Sequence, residues 1–198
     1  YIGGVINFMS DEIFRNEIKK CNSNQQGKTC AFSGHRPQSL PFGYCESDIH
    51  CLLLKQELEK TIIKLISNND VTHFITGMAL GVDMYAAEIV LNLKSQYPSI
   101  TLECAIPCET QAAKWSEAYR NRYFRIAANC DKETMLQKHY SKDCMQKRNR
   151  YMVDHADVIL AVWNGSPSGT GMTVSYARAT GKPVWILDPN TLSVHIDN

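Results

Sequence analysis

The sequence predicts a doubly wound α/β fold, in which helices cover both faces of a mainly parallel sheet. Short apolar segments typical of strands alternate along the chain with segments of helical periodicity. The strand segments are almost wholly apolar, as in Val158–Trp163, which is typical of strands buried between two helical layers. Glycine-rich turns follow three of these segments. Because ligands in such sheets bind beyond the carboxyl ends of the strands, the turns predict where a site lies.

The first half of the chain contains two predicted strand–helix units. Thr29–Phe32 is a short apolar strand, and Asp48–Asn68 is a helix because its apolar residues recur every three or four positions. Val71–Thr76 is the second strand, and Val82–Lys94 is the second helix, which cannot extend past Pro98. Repetition of this unit is the pattern that builds a parallel sheet.

The second half continues the alternation and contains a helix whose end is well marked. Gly181 suits the left-handed residue that ends many helices, and Pro183 cannot continue one. The predicted strands are Ile100–Ile106, Lys132–Leu136, Val158–Trp163 and Val184–Leu187, and the predicted helices are Thr110–Ala128, Asp143–His155 and Thr170–Thr180.

Length and composition predict a single domain at residues 28–198, preceded by a lead-in segment at residues 1–27. A chain of 198 residues is long enough for a substantial core, and it contains no repeat or long linker. Its first residues include neither a basic stretch nor a long apolar one, so we expect no signal peptide. Met9 is an alternative start, with residues 1–8 as an extension.

Charge and cysteine content narrow the classes of function. Lys plus Arg, 21, nearly balance Asp plus Glu, 20, so global attraction to nucleic acid is not expected. No apolar run reaches the roughly 20 residues that span a bilayer, so no membrane partner is expected. The eight cysteines form no CxxC pair, which favours reduced thiols, a cytoplasmic location and the absence of a metal site.

The first glycine-rich turn follows the first strand and consists of Ser33, Gly34, His35 and Arg36. Small residues allow a ligand to approach the backbone closely, and Arg36 can pair with a phosphate. The alternative is an ordinary strand–helix turn with a solvated arginine, and the residues leave both interpretations open.

The second turn follows the second strand and runs from Thr76 to Asp83. Gly77 and Gly81 tighten the turn, and Asp83 then falls in the first turn of a helix. Asp83 either caps that helix or accepts a hydrogen bond from a ribose hydroxyl, and the sequence favours neither.

The third turn lies between Trp163 and the last helix and is the richest in glycine. Gly165, Gly169 and Gly171 alternate with hydroxyl side chains, including those of Thr170 and Thr173. Unpaired amides at the start of a helix favour a bound anion, as does the positive end of the helix dipole. This turn therefore predicts a phosphate site.

Arg148 is the best candidate for a functional side chain. It belongs to a basic stretch with Lys147 and Arg150, which on its own is typical of a solvated helix face. Arg148 also shares a helix face with the apolar Met152, four positions later. An arginine turned towards the core needs an anionic partner, so this spacing predicts a role in phosphate binding.

These motifs resemble those of a known superfamily. Ile75–Asp83, followed by Ala87 and Glu88, resembles the first signature of the SLOG superfamily, which includes the DNA-processing protein DprA, the Lonely Guy phosphoribohydrolases and molybdenum-cofactor carriers. Ser33–Pro37 and Cys144–His155 are most similar to its bacterial YpsA-like branch. The resemblance covers about residues 28–188.

The resemblance implies a Rossmann-like fold that binds a nucleotide, a nucleoside or an ADP-ribose-type ligand. It places around that ligand the residues Gly34, Gly77, Gly81, Asp83, Gly169, Thr170 and Thr173.

One departure from the Lonely Guy pattern concerns catalysis. Arg148 falls where those enzymes carry a catalytic arginine, but Thr173 occupies the position of their catalytic glutamate. A threonine cannot act as a carboxylate base in glycosidic-bond hydrolysis. Such activity would then require Asp83, Glu88 or Glu109 as a substitute acid.

The sequence is therefore consistent with three functions. The first is binding or sensing of a nucleotide-derived small molecule of the nucleotide, NAD or ADP-ribose type. The second is a nucleotide phosphoribohydrolase or N-glycosidase. The third is single-stranded DNA binding, for which basic side chains and aromatics cluster around residues 138–151. The predicted helix Thr110–Ala128 carries Trp115, Tyr119 and Phe124. We expect these aromatic side chains to be exposed and to support homo-oligomers.

Overall fold

The computed structural model describes residues 27–197. The predicted lead-in segment, apart from Gly27, and the alternative start at Met9 lie outside these residues. The strands are β1 Lys28–Gly34, β2 Val71–Thr76, β3 Thr101–Ile106, β4 Lys132–Met135, β5 Val158–Val162, β6 Val184–Leu187 and β7 Val194–Asp197. The α-helices are α1 Ile49–Asn69, α2 Val82–Leu93, α3 Glu117–Asn129, α4 Cys144–Asp154 and α5 Gly169–Ala179.

The strands of the described region form one sheet in the order β4-β3-β2-β1-β5-β6-β7. Neighbouring strands are parallel except for β6 and β7, which are antiparallel. This architecture confirms the predicted Rossmann-like, doubly wound fold. The chain builds the sheet outwards from β1 to β4 and then returns to place β5 on the other side of β1. The crevice between β1 and β5 is therefore the topological switch point, where such sheets bind ligands.

The central strands of the sheet are buried on both faces, as their apolar sequences predict. On β1, Cys30 and Phe32 belong to the core beneath α1 and α2, while Ala31 between them belongs to the core beneath α4 and α5. The Phe32 ring stacks on that of Phe74 in β2, with centroids 5.5 Å apart. Every residue of β5 is buried. Helices must therefore lie on both sides of the central strands.

Helix α3 begins later than its sequence predicts. The predicted start was Thr110, but residues 110–115 form successive turns and α3 begins at Glu117. The side chain of Gln111 is the physical reason, because its Nε2 donates to the carbonyl oxygens of Gly77 and Met78 at 3.0 and 3.1 Å. Gln111 thus binds the turn that follows β2, and the backbone next to Gln111 forms turns in place of a helix.

The edge strand β7 was not predicted, and two aromatic side chains, those of Trp115 and Tyr119, are less exposed than expected. Residues 194–197 form an exposed or half-buried strand, too short for its pattern to stand out. Among the aromatics expected to be exposed, Phe124 is 60% exposed. Trp115 instead packs edge-to-face on Tyr123, with centroids 5.7 Å apart, and Tyr119 lies beside Tyr44. No helix among residues 27–197 is both long enough and apolar enough to cross a membrane.

Candidate functional site

A cavity of about 350 Å³ lies at the switch point, beyond the carboxyl ends of β1 and β5. It is enclosed by the turn after β1, the turn before α2, one face of α4 and the start of α5. Most of the residues predicted for a ligand site line it, namely Ser33, Gly34, His35, Arg36, Asp83, Arg148, Gly169, Thr170 and Thr173. The structure therefore brings together turns that are far apart in the sequence.

A buried ion pair between Arg148 and Asp83 forms one wall of the cavity. Arg148 Nη1 lies 3.4 Å from Asp83 Oδ2, and each residue is 5% exposed. The same Oδ2 accepts a hydrogen bond of 3.2 Å from the amide of Ala79. Arg148 Nε is buried and has no partner among the described residues. The contact between the two charges is long and involves one nitrogen, so the guanidinium retains donors for a ligand.

Burial governs the protonation of this pair. Desolvation raises the pKa of Asp83 above its ordinary value, and the neighbouring Arg148 guanidinium opposes that shift. Desolvation likewise lowers the pKa of Arg148, and the carboxylate of Asp83 opposes it. Arginine starts from a pKa so high that it stays protonated at neutral pH. Arg148 therefore keeps its positive charge in the wall of the cavity.

The second turn packs against the guanidinium of Arg148. A Cβ at position 77 would lie 1.3 Å from Arg148 Nη1, so only glycine leaves room for the guanidinium. Thr76 Oγ1 donates to the backbone oxygen of Asp83 at 2.9 Å and accepts from the amide of Met78 at 3.2 Å. Thr76, Gly77 and Gly81 thus shape the wall but do not line the cavity, which Ala79 and Asp83 do.

Two other glycines let the first turn pack tightly on the start of α2. A Cβ at Gly34 would lie 2.3 Å from the Cβ of Val82. Gly81 has a φ of +90°, and a Cβ there would lie 2.8 Å from the backbone oxygen of His35. These glycines hold the first two turns in contact beside the cavity.

His35 connects the first turn to the third. Its Nε2 lies 2.8 Å from Asn164 Oδ1, and the histidine is 2% exposed. Asn164 Oδ1 also accepts hydrogen bonds from the amide and hydroxyl of Ser166, at 3.1 and 2.7 Å. His35 therefore fixes the glycine-rich segment that leads into α5.

The start of α5 carries the donors that the sequence predicts for an anion. Ser168 is the N-cap, and its Oγ accepts from the amide of Gly171 at 3.1 Å. The amides of Gly169 and Thr170 have no acceptor in the described part of the chain. These amides sit at the positive end of the helix dipole, beside the cavity.

Thr173 is held by two hydrogen bonds. Its hydroxyl donates to the carbonyl oxygen of Gly169 at 3.0 Å and accepts from Asn149 Nδ2 at 2.9 Å. Among the acids considered as substitutes, Asp83 lines the cavity. Glu88 instead pairs with Arg122, with 2.5 Å between Oε2 and Nη2. Glu109 is exposed and does not line the cavity.

Sequence reasoning missed several residues of the site. Asn149 and Met145 line the cavity one helical turn apart. Their helical spacing from Arg148 and Met152 is the signal that could have identified them, because residues at i, i+3, i+4 and i+7 share a helix face. Ser168 carries a recognisable signal, because a serine just before a predicted helix is a common N-cap. Gln111 has no such signal, since its contact with the second turn depends on the tertiary fold.

Two solved structures share this fold. The structure of DNA processing protein A (DprA) from Streptococcus pneumoniae superposes with a TM-score of 0.57 and 16% sequence identity, over 82% of this chain and 51% of that one. This chain thus spans about half the length of that protein. A DprA structure from Helicobacter pylori, described in terms of its single-stranded DNA binding mode, gives a TM-score of 0.54 and 19% identity, over 82% of this chain and 66% of that one.

Sequence comparison gives the family. The protein YoqJ of Bacillus subtilis, derived from the SPbeta prophage, is 35% identical over 153 residues, which are 70% of this chain and 90% of YoqJ. The protein YpsA of the same organism is 22% identical over 177 residues, or 86% of this chain and 97% of YpsA. Residues 30–192 match the YpsA SLOG family. The chain therefore belongs to the YpsA family of SLOG proteins.

Proposed function

We propose that this protein binds a nucleotide-derived small molecule, with a phosphate of the ligand in the cavity at the switch point. The observation that carries the proposal is Arg148, a buried cation whose Nε lacks a partner in the described residues, in the same cavity as the open amides of Gly169 and Thr170. A buried arginine and a helix start together form a strong site for a phosphate.

The same geometry favours binding or sensing over hydrolysis. A phosphoribohydrolase needs a carboxylate that activates water or stabilises developing positive charge on the ribose. Thr173 has no carboxylate, and its hydroxyl already makes two hydrogen bonds. Asp83 Oδ2 is held by Arg148 and by the amide of Ala79. A carboxylate held in this way is suited to orienting Arg148 or a ribose hydroxyl.

Thermal unfolding with AMP, NAD and ADP-ribose tests the proposal. A ligand that binds the native state at one hundred times its Kd stabilises it by about 2.7 kcal/mol, so we expect a rise of several degrees in Tm. Arg148→Met should abolish the rise. Lys147→Met is the matched control, because Lys147 is 57% exposed and lies outside the cavity lining. If none of the compounds raises the Tm at millimolar concentration, the proposal is wrong.

Single-stranded DNA binding is a second candidate, favoured by the basic surface of α4. Lys147 and Arg150 on the helix and Lys142 just before it are exposed, and the Tyr140 side chain, which precedes them in the sequence, is 65% exposed. Basic and aromatic side chains on one surface suit a single strand. The near-neutral net charge limits this binding to a local patch.

Fluorescence anisotropy of a labelled oligonucleotide tests the second candidate. Binding should weaken as salt rises, because phosphate contacts release counterions. Lys142→Glu combined with Arg150→Glu should remove it, whereas Lys28→Glu, at the start of β1, should not. The absence of binding at low salt would exclude this function.

A further inference from the structure

A second, larger depression adjoins the cavity on the outer side of α4 and α5. This groove, which we call the outer groove, has a volume of about 950 Å³. Met145, Asn149, Ser168, Gly169 and Thr173 line both the cavity and the outer groove. The hydrogen bond of 2.9 Å between Asn149 and Thr173 therefore lies on their shared boundary. A ligand that leaves the cavity over this boundary enters the groove.

The floor of the outer groove is apolar, and contacts with the neighbouring chain hold its central side chain, Trp163, in place. The indole Nε1 of Trp163 donates to the carbonyl oxygen of Ser166 at 2.7 Å. The indole ring packs over Gly171, where an added Cβ would lie 3.3 Å from the ring. The side chains of Met172, which is 58% exposed, and Tyr176 extend this surface. Such surfaces suit a flat aromatic group.

The charge of the outer groove has one sign. Lys142 and Arg150 line it, and no aspartate or glutamate of the described chain does so. The guanidinium of Arg150 lies 5.5 Å above the centre of the Tyr176 ring. A cation held against an aromatic ring can pair with a phosphate and stack on a base. The groove thus complements a ligand that is both anionic and aromatic.

We propose that the outer groove binds the second nucleotide unit of a dinucleotide whose first phosphate lies in the cavity, an inference that rests on the proposed function. The cavity, at about 350 Å³, is at the lower end of the range of roughly 300–1,000 Å³ for ligand pockets, so one nucleotide unit fills it. The second phosphate pairs with Lys142 or Arg150. The second base stacks on the surface formed by Trp163, Met172 and Tyr176.

Calorimetric titration with three probes tests this inference. AMP carries one nucleotide unit, NAD carries two joined by a pyrophosphate, and 5′-phosphorylated adenylyl-adenosine carries two joined by a 3′–5′ phosphodiester. We expect one of the two dinucleotides to bind about tenfold or more tightly than AMP, since stacking one base contributes about this much. Which dinucleotide gains identifies the linkage that the site accepts.

The matched variants are Met172→Glu and Met172→Gln. Met172 is largely exposed and does not line the cavity, so both variants should fold and bind AMP within about threefold of wild type. The glutamate places a negative charge in the groove and should remove the dinucleotide's gain, while the glutamine should retain it.

Three results are decisive. AMP binding without any gain for either dinucleotide would overturn the inference and leave the proposed function intact. A gain that Met172→Glu does not reduce would place the second unit elsewhere and also overturn it. If none of the three probes binds, the proposed function itself fails.

Discussion

Arg148 occupies the space that a side chain at position 77 would need. The distance from Arg148 Nη1 to a Cβ built at Gly77 is 1.3 Å, and that Cβ would also lie 2.9 Å from Asp83 Oδ2. The glycine of one turn and the arginine of a helix 71 positions later are therefore parts of one structural unit. Within the signature, Gly77 leaves the space that the guanidinium occupies.

The first prediction is that Gly77→Ala disrupts binding by displacing Arg148. We expect a loss of about 1–3 kcal/mol in the free energy of unfolding, measured by urea denaturation, because the buried guanidinium must move. The Tm rise with AMP should disappear. Gly169→Ala is the control for the stability measurement alone, since a Cβ there meets nothing within 4 Å.

A double variant separates displacement of Arg148 from general damage to the turn. In Gly77→Ala/Arg148→Ala the space is free, so the two stability losses should not add. Strict additivity of the losses would contradict the proposed contact.

The second prediction concerns the pH dependence of the ion pair. Arg148→Met leaves the carboxylate of Asp83 buried without its cation, which costs about 3–5 kcal/mol near neutral pH. Burial already raises the pKa of Asp83, and loss of the guanidinium raises it further. A raised carboxyl pKa gives stability that is present below the unfolded pKa and lost as pH rises.

The stability deficit of Arg148→Met should therefore shrink as pH falls from about 7 to about 4, the ordinary pKa of aspartate. Urea denaturation at both pH values measures it. Asp83→Asn/Arg148→Met, which has no buried charge at either position, should recover much of the loss at pH 7. A deficit that is equal at both pH values would show that the carboxylate of Asp83 does not cause it.

Much of the site could be predicted because its signals are local. Gly34 ends β1, Gly169 begins the helix that follows β5, and Arg148 shares a face with an apolar residue in its own helix, so short spacings place them at one edge of the sheet. The role of Gly77 could not be predicted in this way. A glycine in a turn predicts tight geometry, but the residue that fills the space comes from α4 and is known only from the fold.

The late start of α3 shows the same limit. Residues 110–116 have the composition of a helix, yet Gln111 is used to bind the carbonyl groups of Gly77 and Met78. A tertiary contact here outweighs local propensity, which differs by less than 1 kcal/mol between most residues. The alternation of helices and central strands was predictable because each of these elements buries apolar residues of its own.

The third prediction concerns a buried acid away from the site. The Glu103 side chain is 2% exposed and accepts hydrogen bonds from Tyr151 Oη at 2.7 Å and Lys132 Nζ at 2.9 Å, with His73 Nε2 at 3.1 Å. Burial opposes ionisation, but these partners together hold the pKa of Glu103 far below its ordinary value. A depressed carboxyl pKa gives stability above the unfolded pKa that is lost as pH falls.

Glu103→Gln should consequently lower the free energy of unfolding by about 2–3 kcal/mol at pH 7, since charge-assisted hydrogen bonds are lost. The difference from wild type should narrow below about pH 4, where the glutamate of the unfolded chain becomes protonated. The exposed Glu59, replaced in the same way, should change stability by less than about 0.5 kcal/mol. A constant difference from pH 7 to pH 3 would contradict the role of the ionised carboxylate.

The fourth prediction is that the protein does not release adenine from AMP above the level of its Arg148→Met variant. Thr173 lacks a carboxylate, and its hydroxyl is bonded to Gly169 and Asn149. Without a base that activates water, a bound nucleotide keeps its glycosidic bond, because removing general acid–base catalysis costs about 10²–10⁴ in rate. Chromatography after long incubation at high enzyme concentration measures free adenine. Release that requires both Arg148 and Asp83 would establish a hydrolase and give Asp83 the role that glutamate has at position 173 in the Lonely Guy pattern.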